Sequence, residues 1–131
     1  MPSGLRGPHA RTLALQYFDA ARHFDAVQLL PGRGVRVRLQ PTPFSPTYLV
    51  QIDYRPVGKP TIWLLSPKPS SRPRHTYGDG SLCVYWHEWN NTMGFGTALI
   101  PWIAEWLYFY EIWLATGTWE APESTHEGPK A

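Results

Sequence analysis

The chain is 131 residues long, 43% hydrophobic and 17% charged, with a formal net charge of +2 at pH 7. That length leaves room for one hydrophobic core, and the composition is that of a globular protein, so we expect a single domain over residues 1–131. The single cysteine excludes an internal disulfide and a zinc site built from cysteines, and no secretory signal opens the chain, which favours a reducing cytoplasm.

The first predicted element is an amphipathic helix from about residue 9 to residue 30. Apolar side chains recur there every three or four positions, which places them on one helical face. They are Leu13, Tyr17, Ala20, Ala21, Phe24 and Val27. The Pro-Gly-Arg-Gly run at residues 31–34 ends this helix. The Gly- and Pro-rich residues 1–8 and the polar tail at residues 120–131 are predicted to be flexible.

Three short strands are predicted next. Residues 35–39 alternate between apolar and basic side chains, as in a half-exposed strand with Arg36 and Arg38 facing water. Residues 48–54 and 61–65 form the second and third strands, and proline-containing turns separate all three. Short successive strands of this kind predict an antiparallel meander.

An aromatic helix is predicted over residues 100–116, with Pro101 in its first turn and Gly117 as its C-cap. Its length approaches a membrane span, but Glu105 and Glu111 would each cost about 2–3 kcal/mol near the bilayer centre. We therefore predict a buried helix of a soluble domain, with no membrane partner and an α+β fold. One helical face, predicted to pack against the sheet, carries four aromatic side chains. These are Trp102, Trp106, Phe109 and Trp113.

Cys83 ends a turn-rich run at residues 75–83 that reads His-Thr-Tyr-Gly-Asp-Gly-Ser-Leu-Cys. The glycines can take positive φ, so Cys83 is predicted to follow a tight loop and not to lie deep in a regular element. A lone cysteine is either an inert core residue or a nucleophile. His75, eight residues upstream, can reach back across such a loop, which favours the nucleophile.

This run resembles the active-site segment of ubiquitin-conjugating enzymes, and more closely that of their short, standalone bacterial relatives in antiphage (CBASS-type) operons. A second motif of these relatives, Pro-Trp-x-x-Glu-Trp-Leu-x-x-Tyr-Glu, is matched from Pro101 to Glu111. The resemblance covers residues 60–119 well and the N-terminal half by its order of elements. It implies an N-terminal helix, a small antiparallel β-meander, an active-site loop and an aromatic C-terminal helix.

The resemblance also implies a transferase with a thioester intermediate. Cys83 would accept the C-terminus of a protein and pass it to an amine, because a thiolate attacks carbonyls readily and leaves readily. His75 matches the family histidine that holds the loop, and His87 is the candidate for deprotonating the amine. The residues predicted to support the loop are Tyr77, Asp79, Gly80 and Ser81.

Stabilisation of the oxyanion departs from the family pattern. In most ubiquitin-conjugating enzymes an Asn two residues after the His has this task, and Tyr77 stands at that position here. Backbone amides of residues 81–84 are the expected donors, with the Tyr77 hydroxyl and the side chains of Asn90 or Asn91 as alternatives.

The implied acyl donor is a nucleotidyltransferase resembling cyclic GMP–AMP synthase, in bacterial antiphage defence. The alternatives are a bacterial ubiquitin-like protein as the donor, or a non-catalytic adaptor of the same fold that binds a protein tail. A separate activating enzyme is a further possible partner, since the chain has no glycine-rich phosphate loop. No cofactor is expected.

Two other classes of function were weighed. Residues 1–74 hold eleven of the twelve Lys and Arg residues, but no nucleic-acid-reading motif accompanies them, so no nucleic-acid partner is predicted. A metal site has suitable ligand types in His75, Cys83, His87 and Glu88. These residues lack the paired spacing of zinc motifs, so no metal is predicted.

Overall fold

The computed structural model describes residues 10–69 and 71–121. Helix α1 (Leu13–His23) leads into strands β1 (Val27–Leu30), β2 (Gly34–Leu39), β3 (Tyr48–Asp53) and β4 (Thr61–Ser66), and a π-helical turn (Phe95–Leu99) runs into helix α2 (Ile100–Thr116). The strands form one antiparallel sheet in the order β1-β2-β3-β4. The predicted α+β fold, a meander between an N-terminal and a C-terminal helix, is confirmed.

The two ends of the chain lie mostly outside this description. The predicted flexibility of residues 1–8 falls on residues that are not described, and so does that of residues 122–131. Of the tail, Glu120 is exposed and Ala121 is buried against the core. Within residues 10–69 and 71–121, no helix is long and apolar enough to cross a membrane.

Helix α1 is shorter than predicted. It begins at Leu13, where the Thr12 hydroxyl accepts a hydrogen bond from the Leu15 amide at 3.2 Å, and it ends at His23. The predicted helix from residue 9 to residue 30 was wrong at both ends. Val27–Leu30 pairs with β2 as strand β1. Apolar spacing alone does not separate one more helical turn from a short strand, and the ladder to β2 decides for the strand.

The sheet has a buried face and an outer face, as the alternation in β2 predicted. The side chains that fill the core from the buried face are Val35, Val37, Val50, Ile52 and Ile62. On the outer face Arg38 is exposed, and the half-buried Arg36 donates from Nε to the Gln51 Oε1 at 2.9 Å.

The bounds of α2 agree with the prediction, and its aromatic stripe packs against the core with only one of the four side chains fully buried. Gly117 ends the helix at a φ of +78°, where its amide donates to the Trp113 carbonyl at 2.8 Å. Of the four aromatic side chains predicted to face the sheet, Trp106 is fully buried and the other three are half-buried. The other buried residues of α2 are Ile100, Ile103, Leu107 and Tyr110. Because α2 is apolar almost all round, its periodicity could not identify the buried face.

A long connection, residues 67–94, joins β4 to the π-helical turn, and its described residues form no helix or strand. Hydrogen bonds of Asn91 anchor the C-terminal end of this connection. The Asn91 carbonyl accepts from the Arg11 amide at 2.9 Å, and its Nδ2 donates to the carbonyls of Arg55 and Gly58 at 2.9 and 3.0 Å. The connection is thereby fixed to the start of α1 and to the β3–β4 turn.

Candidate active site

The segment from His75 to Cys83 folds back on itself as a small hairpin, which we call the active-site hairpin (residues 75–83). The Cys83 amide donates to the His75 carbonyl at 2.8 Å, and Thr76 and Leu82 form an isolated β-bridge. At the tip, the Tyr77 amide donates to the Ser81 carbonyl at 2.8 Å. This is the tight turn that the glycines predicted, and it brings the backbones of His75 and Cys83 side by side.

Hydrogen bonds to the sheet and to α2 hold the base of the hairpin. The Leu82 amide donates to the Ile62 carbonyl of β4 at 2.8 Å, which extends the sheet by one contact. The indole Nε1 of the buried Trp106, in α2, donates to the His75 carbonyl at 3.2 Å. The His75 carbonyl thus accepts two hydrogen bonds, one from Cys83 and one from Trp106, which its two lone pairs allow.

His75 lies inside the protein in a strained backbone conformation. It is 5% exposed, and its φ of +58° lies in the left-handed region, which costs a non-glycine residue about 1–2 kcal/mol. Its ring packs against Trp119, with ring centroids 5.2 Å apart, and Trp119 in turn packs against Trp106 at 5.3 Å. These contacts agree with a histidine that holds the hairpin.

His87, the other candidate histidine, has a different environment. It is exposed, and its ring centroid lies 5.9 Å from that of Trp102, in the first turn of α2. The rings of His75 and His87 therefore contact different tryptophans, Trp119 beyond the C-terminal end of α2 and Trp102 in its first turn. His75 is enclosed, whereas His87 is open to an incoming molecule.

A polar network braces the tip of the hairpin. One carboxylate oxygen of Asp79 accepts from the Ser81 amide at 2.9 Å and from the Ser81 hydroxyl at 2.6 Å, and these bonds hold the pKa of Asp79 below its ordinary value. Arg72 donates from Nε to the Thr76 hydroxyl at 3.1 Å and from Nη2 to the Tyr77 carbonyl. The predicted supporting residues Asp79 and Ser81 therefore bond each other, and Tyr77 is held through its backbone.

Most of the amides predicted to stabilise an oxyanion are already bonded within the protein. The Ser81 amide bonds Asp79, the Leu82 amide bonds β4, and the Cys83 amide bonds His75. Among the described residues, the Val84 amide is the one of the four that donates to no other group. The Asn91 alternative is also engaged, because both hydrogens of its Nδ2 go to carbonyls of the β3–β4 turn.

Cys83 itself is buried, with 2% of its surface exposed. Tyr85, two residues on, is also buried, and its hydroxyl donates to the carbonyl of Pro60 at the start of β4. Burial raises the pKa of Tyr85, and the neighbouring Tyr77 and Cys83 raise it further. The Tyr85 hydroxyl is thereby tied to the β3–β4 turn.

Two open grooves flank the active-site hairpin. One, of about 310 Å³, lies towards the β3–β4 turn, and we call it the lysine groove. Its lining residues are Lys59, Pro60, Thr61, Tyr77, Asp79, Ser81 and Tyr85. The other, of about 320 Å³, is the proline groove, lined by Pro69, Ser71, Arg72, Pro73, Thr76 and Gly80. The hairpin is thus accessible from both sides, although Cys83 is enclosed at its base.

The structure gives no support to a metal site. In the part of the chain that is described, no group of three or more His, Cys, Asp and Glu residues is placed to hold a metal ion. His75 is enclosed against Trp119, while Glu88 and His87 are exposed. The four possible ligands weighed from the sequence therefore do not form a cluster.

Several residues of the site carried no signal in the sequence. Lys59 and Tyr85 meet because the β3–β4 turn is folded against the segment after the hairpin, a contact between residues far apart in the chain. Trp119 reaches His75 only after Gly117 has ended α2. Arg72 stands in a Pro- and Ser-rich connector that predicts a solvated loop, and the hairpin carbonyl that it bonds is defined only by the fold.

A comparison with protein families agrees with this geometry. A family model described as Type II CBASS E2 protein matches residues 21–127, which is most of the chain and includes the active-site hairpin and α2. The comparison with curated proteins found no match. The resemblance read from the two sequence motifs is confirmed, and the chain belongs to the Type II CBASS E2 protein family.

Proposed function

We propose that Cys83 accepts the C-terminal carboxyl group of a protein as a thioester and passes it to an amine, as part of a bacterial antiphage system. Membership of the Type II CBASS E2 protein family supports a role in that system. The observation that carries the chemical proposal is the hairpin. The hairpin ends at Cys83, the His75 carbonyl fixes the Cys83 backbone, and two open grooves are lined by residues of the hairpin.

The proposed reaction has two transfers. The Cys83 thiolate attacks the carbonyl carbon of an activated donor thioester, and the donor's former thiol partner leaves. An amine then attacks the Cys83 thioester, the C–S bond breaks as the C–N bond forms, and the thiolate is restored. His87, exposed at the surface, is the proposed base for the amine proton. His75 is a positioning residue, and the Val84 amide is the proposed donor to the oxyanion.

The proposed acyl donor is a nucleotidyltransferase resembling cyclic GMP–AMP synthase, delivered by a separate activating enzyme, because the chain carries no glycine-rich phosphate loop. A bacterial ubiquitin-like protein is the alternative donor. The cytoplasm is the proposed location, since a reducing compartment keeps the thiol available.

One observation favours a second candidate, a non-catalytic adaptor. Cys83 is 2% exposed, and a thiol that is nine-tenths buried cannot meet an acyl group without some opening of its surroundings. An adaptor would bind the tail of the same donor in one of the grooves and leave Cys83 unmodified.

Intact mass spectrometry under non-reducing conditions tests the proposal directly. The protein is co-expressed with the nucleotidyltransferase or the ubiquitin-like protein encoded beside it, together with any activating enzyme encoded there. We expect an adduct that a thiol reductant removes and that Cys83→Ala abolishes. Stable binding of the partner by both wild type and Cys83→Ala, with no adduct on either, would establish the adaptor instead.

A further inference from the structure

The outer face of the sheet carries positive charge that the proposed reaction does not use. Two open grooves lie on this face, one of about 350 Å³ and one of about 330 Å³. Arg36, on β2, lines both grooves, so the two meet at its side chain. Neither groove shares a lining residue with the lysine groove or the proline groove beside the active-site hairpin. The outer face is therefore a binding surface separate from the hairpin.

Cations predominate along these two grooves. Four of the eleven Lys and Arg residues in residues 1–74 line them, namely Arg33, Arg36, Arg38 and Lys68. A single carboxylate, that of Asp25, lines them as well. Among the described residues, Arg33 pairs with Asp53 at 3.1 Å, and the other three cations form no ion pair. Unpaired positive charges on one face attract an acidic partner and speed its approach.

A hydrogen-bonded network fixes the side chains between the two grooves. Arg36 donates from Nε to the Gln51 Oε1 at 2.9 Å. Gln51, only 4% exposed, donates from Nε2 to the Asp53 Oδ1 at 2.9 Å, and the Trp63 Nε1 donates to the Asp53 Oδ2 at 3.0 Å. Within the described part of the chain, this arrangement leaves both Nη groups of Arg36 for an outside acceptor. The surface is thus formed before a partner arrives, which lowers the entropy cost of binding.

Apolar side chains lie among the cations and indicate the class of partner. Leu49 lines the larger groove, Trp63 and Leu65 line the smaller one, and all three are half-buried. Nucleic-acid bases stack on aromatic rings, and of these three side chains only Trp63 has one. Its indole is held beside the Asp53 carboxylate, which repels phosphate. An acidic polypeptide instead can place carboxylates on the cations and apolar side chains in the grooves.

We propose that the outer face of the sheet is a docking surface for an acidic polypeptide segment of a partner protein, one that also carries apolar side chains. Its carboxylates bind Arg36, Arg38 and Lys68. Its apolar side chains pack against Leu49 and Leu65. Because the surface lies apart from the hairpin, this inference goes beyond the proposed function and does not depend on the thioester chemistry.

Fluorescence anisotropy of labelled probes tests the proposal with the full chain. The probes are a short peptide of Glu and Leu, a matched peptide of Glu and Ser, and a single-stranded oligothymidylate of similar charge. The variants are Arg38→Glu and Lys68→Glu, which reverse exposed charges of the surface. Arg22→Glu is the matched control, because it makes the same charge change at an exposed position of α1 that lines neither groove. Melting temperatures confirm that all variants fold.

We expect wild type and Arg22→Glu to bind the Glu–Leu peptide with equal affinity, and this affinity to fall as salt is added. Arg38→Glu and Lys68→Glu should each bind it at least about tenfold more weakly. The Glu–Ser peptide should bind wild type more weakly than the Glu–Leu peptide, because it lacks the apolar contacts.

Three results would overturn the proposal. The first is that wild type does not bind the Glu–Leu peptide, or that both charge-reversed variants bind it as tightly as wild type does. The second is equal affinity for the two peptides, which would show that the surface takes any acidic chain without apolar contacts. The third is tighter binding of the oligothymidylate than of the Glu–Leu peptide, lost in the same two variants, which would assign the surface to nucleic acid.

Discussion

Trp106→Phe is the substitution that most directly tests how the active-site hairpin is held. It removes the indole Nε1 that donates to the His75 carbonyl at 3.2 Å and leaves an aromatic ring in the buried position. The lost hydrogen bond is worth about 1 kcal/mol, and the smaller ring leaves a cavity that costs about 1–2 kcal/mol more. We therefore expect the free energy of unfolding to fall by about 2–3 kcal/mol in total.

Two measurements are needed, because the accessibility of Cys83 reports on the hairpin and the free energy of unfolding reports on the whole domain. Cys83 is enclosed, so a thiol-alkylating reagent reaches it only when its surroundings open. Loss of about 1 kcal/mol from the closed hairpin speeds alkylation about fivefold under native conditions. Mass spectrometry of samples quenched at successive times measures the rate of Cys83 alkylation, and chemical denaturation measures the global stability.

Trp102→Phe is the matched control. It makes the same chemical change one helical turn earlier in α2, where the ring is half-buried and contacts His87 and Tyr85. Alkylation of Cys83 in this control should rise no more than its loss of global stability requires. Equal alkylation rates in Trp106→Phe and wild type would refute the view that Trp106 holds the hairpin closed.

Three further outcomes follow from the hairpin. Gly80 has a φ of +91°, so Gly80→Ala should lower the free energy of unfolding by about 1–2 kcal/mol. Gly78→Ala should change this free energy little, because a Cβ at Gly78 has no atom within 4 Å. Urea denaturation of both variants checks this. The pKa of Asp79 is lowered in the folded state, so its hydrogen bonds stabilise the hairpin at pH values above the ordinary carboxyl pKa of 3.8. This stabilisation is lost as the pH falls through the lowered pKa. Melting temperatures of wild type and Asp79→Asn should therefore differ at pH 7, and the difference should narrow as pH falls below 3.8. A difference unchanged by pH would contradict the assignment. Tyr85→Phe leaves the buried carbonyl of Pro60 without its donor, so the free energy of unfolding should fall by about 1–3 kcal/mol. Urea denaturation measures this change, and an unchanged free energy of unfolding would mean that water replaces the hydroxyl.

The predictions from sequence succeeded where structure is set by neighbours in the chain. Pro101 lies in the first turn of α2 and Gly117 caps its C-terminal end, as predicted. The glycine-rich run of the hairpin forms a tight turn, also as predicted. Strand β1 was predicted as helix because its pairing with β2 is a tertiary contact. The buried face of α2 was predicted only in part for a related reason, since a helix apolar all round is oriented by its partners.

In the candidate site, too, local sequence identifies some residues, and tertiary contacts determine the rest. Cys83 and His75 could be identified from one short run of sequence, and the fold places their backbones in contact. The burial of Cys83 and the meeting of Lys59 with Tyr85 could not be identified from it. Both depend on how the β3–β4 turn and the connection after the hairpin pack together, and no local pattern carries that information.

The backbone of His75 contributes directly to the active-site hairpin. Its carbonyl accepts the two hydrogen bonds that hold Cys83 and Trp106, and every residue type has a carbonyl. What the histidine adds is tolerance of a φ of +58°, since His is enriched in the left-handed region, and a ring that packs against Trp119. The same position occupied by a β-branched residue would strain the hairpin at its base. The proposed mechanism therefore treats His75 as a positioning residue and assigns the proton of the incoming amine to the exposed His87.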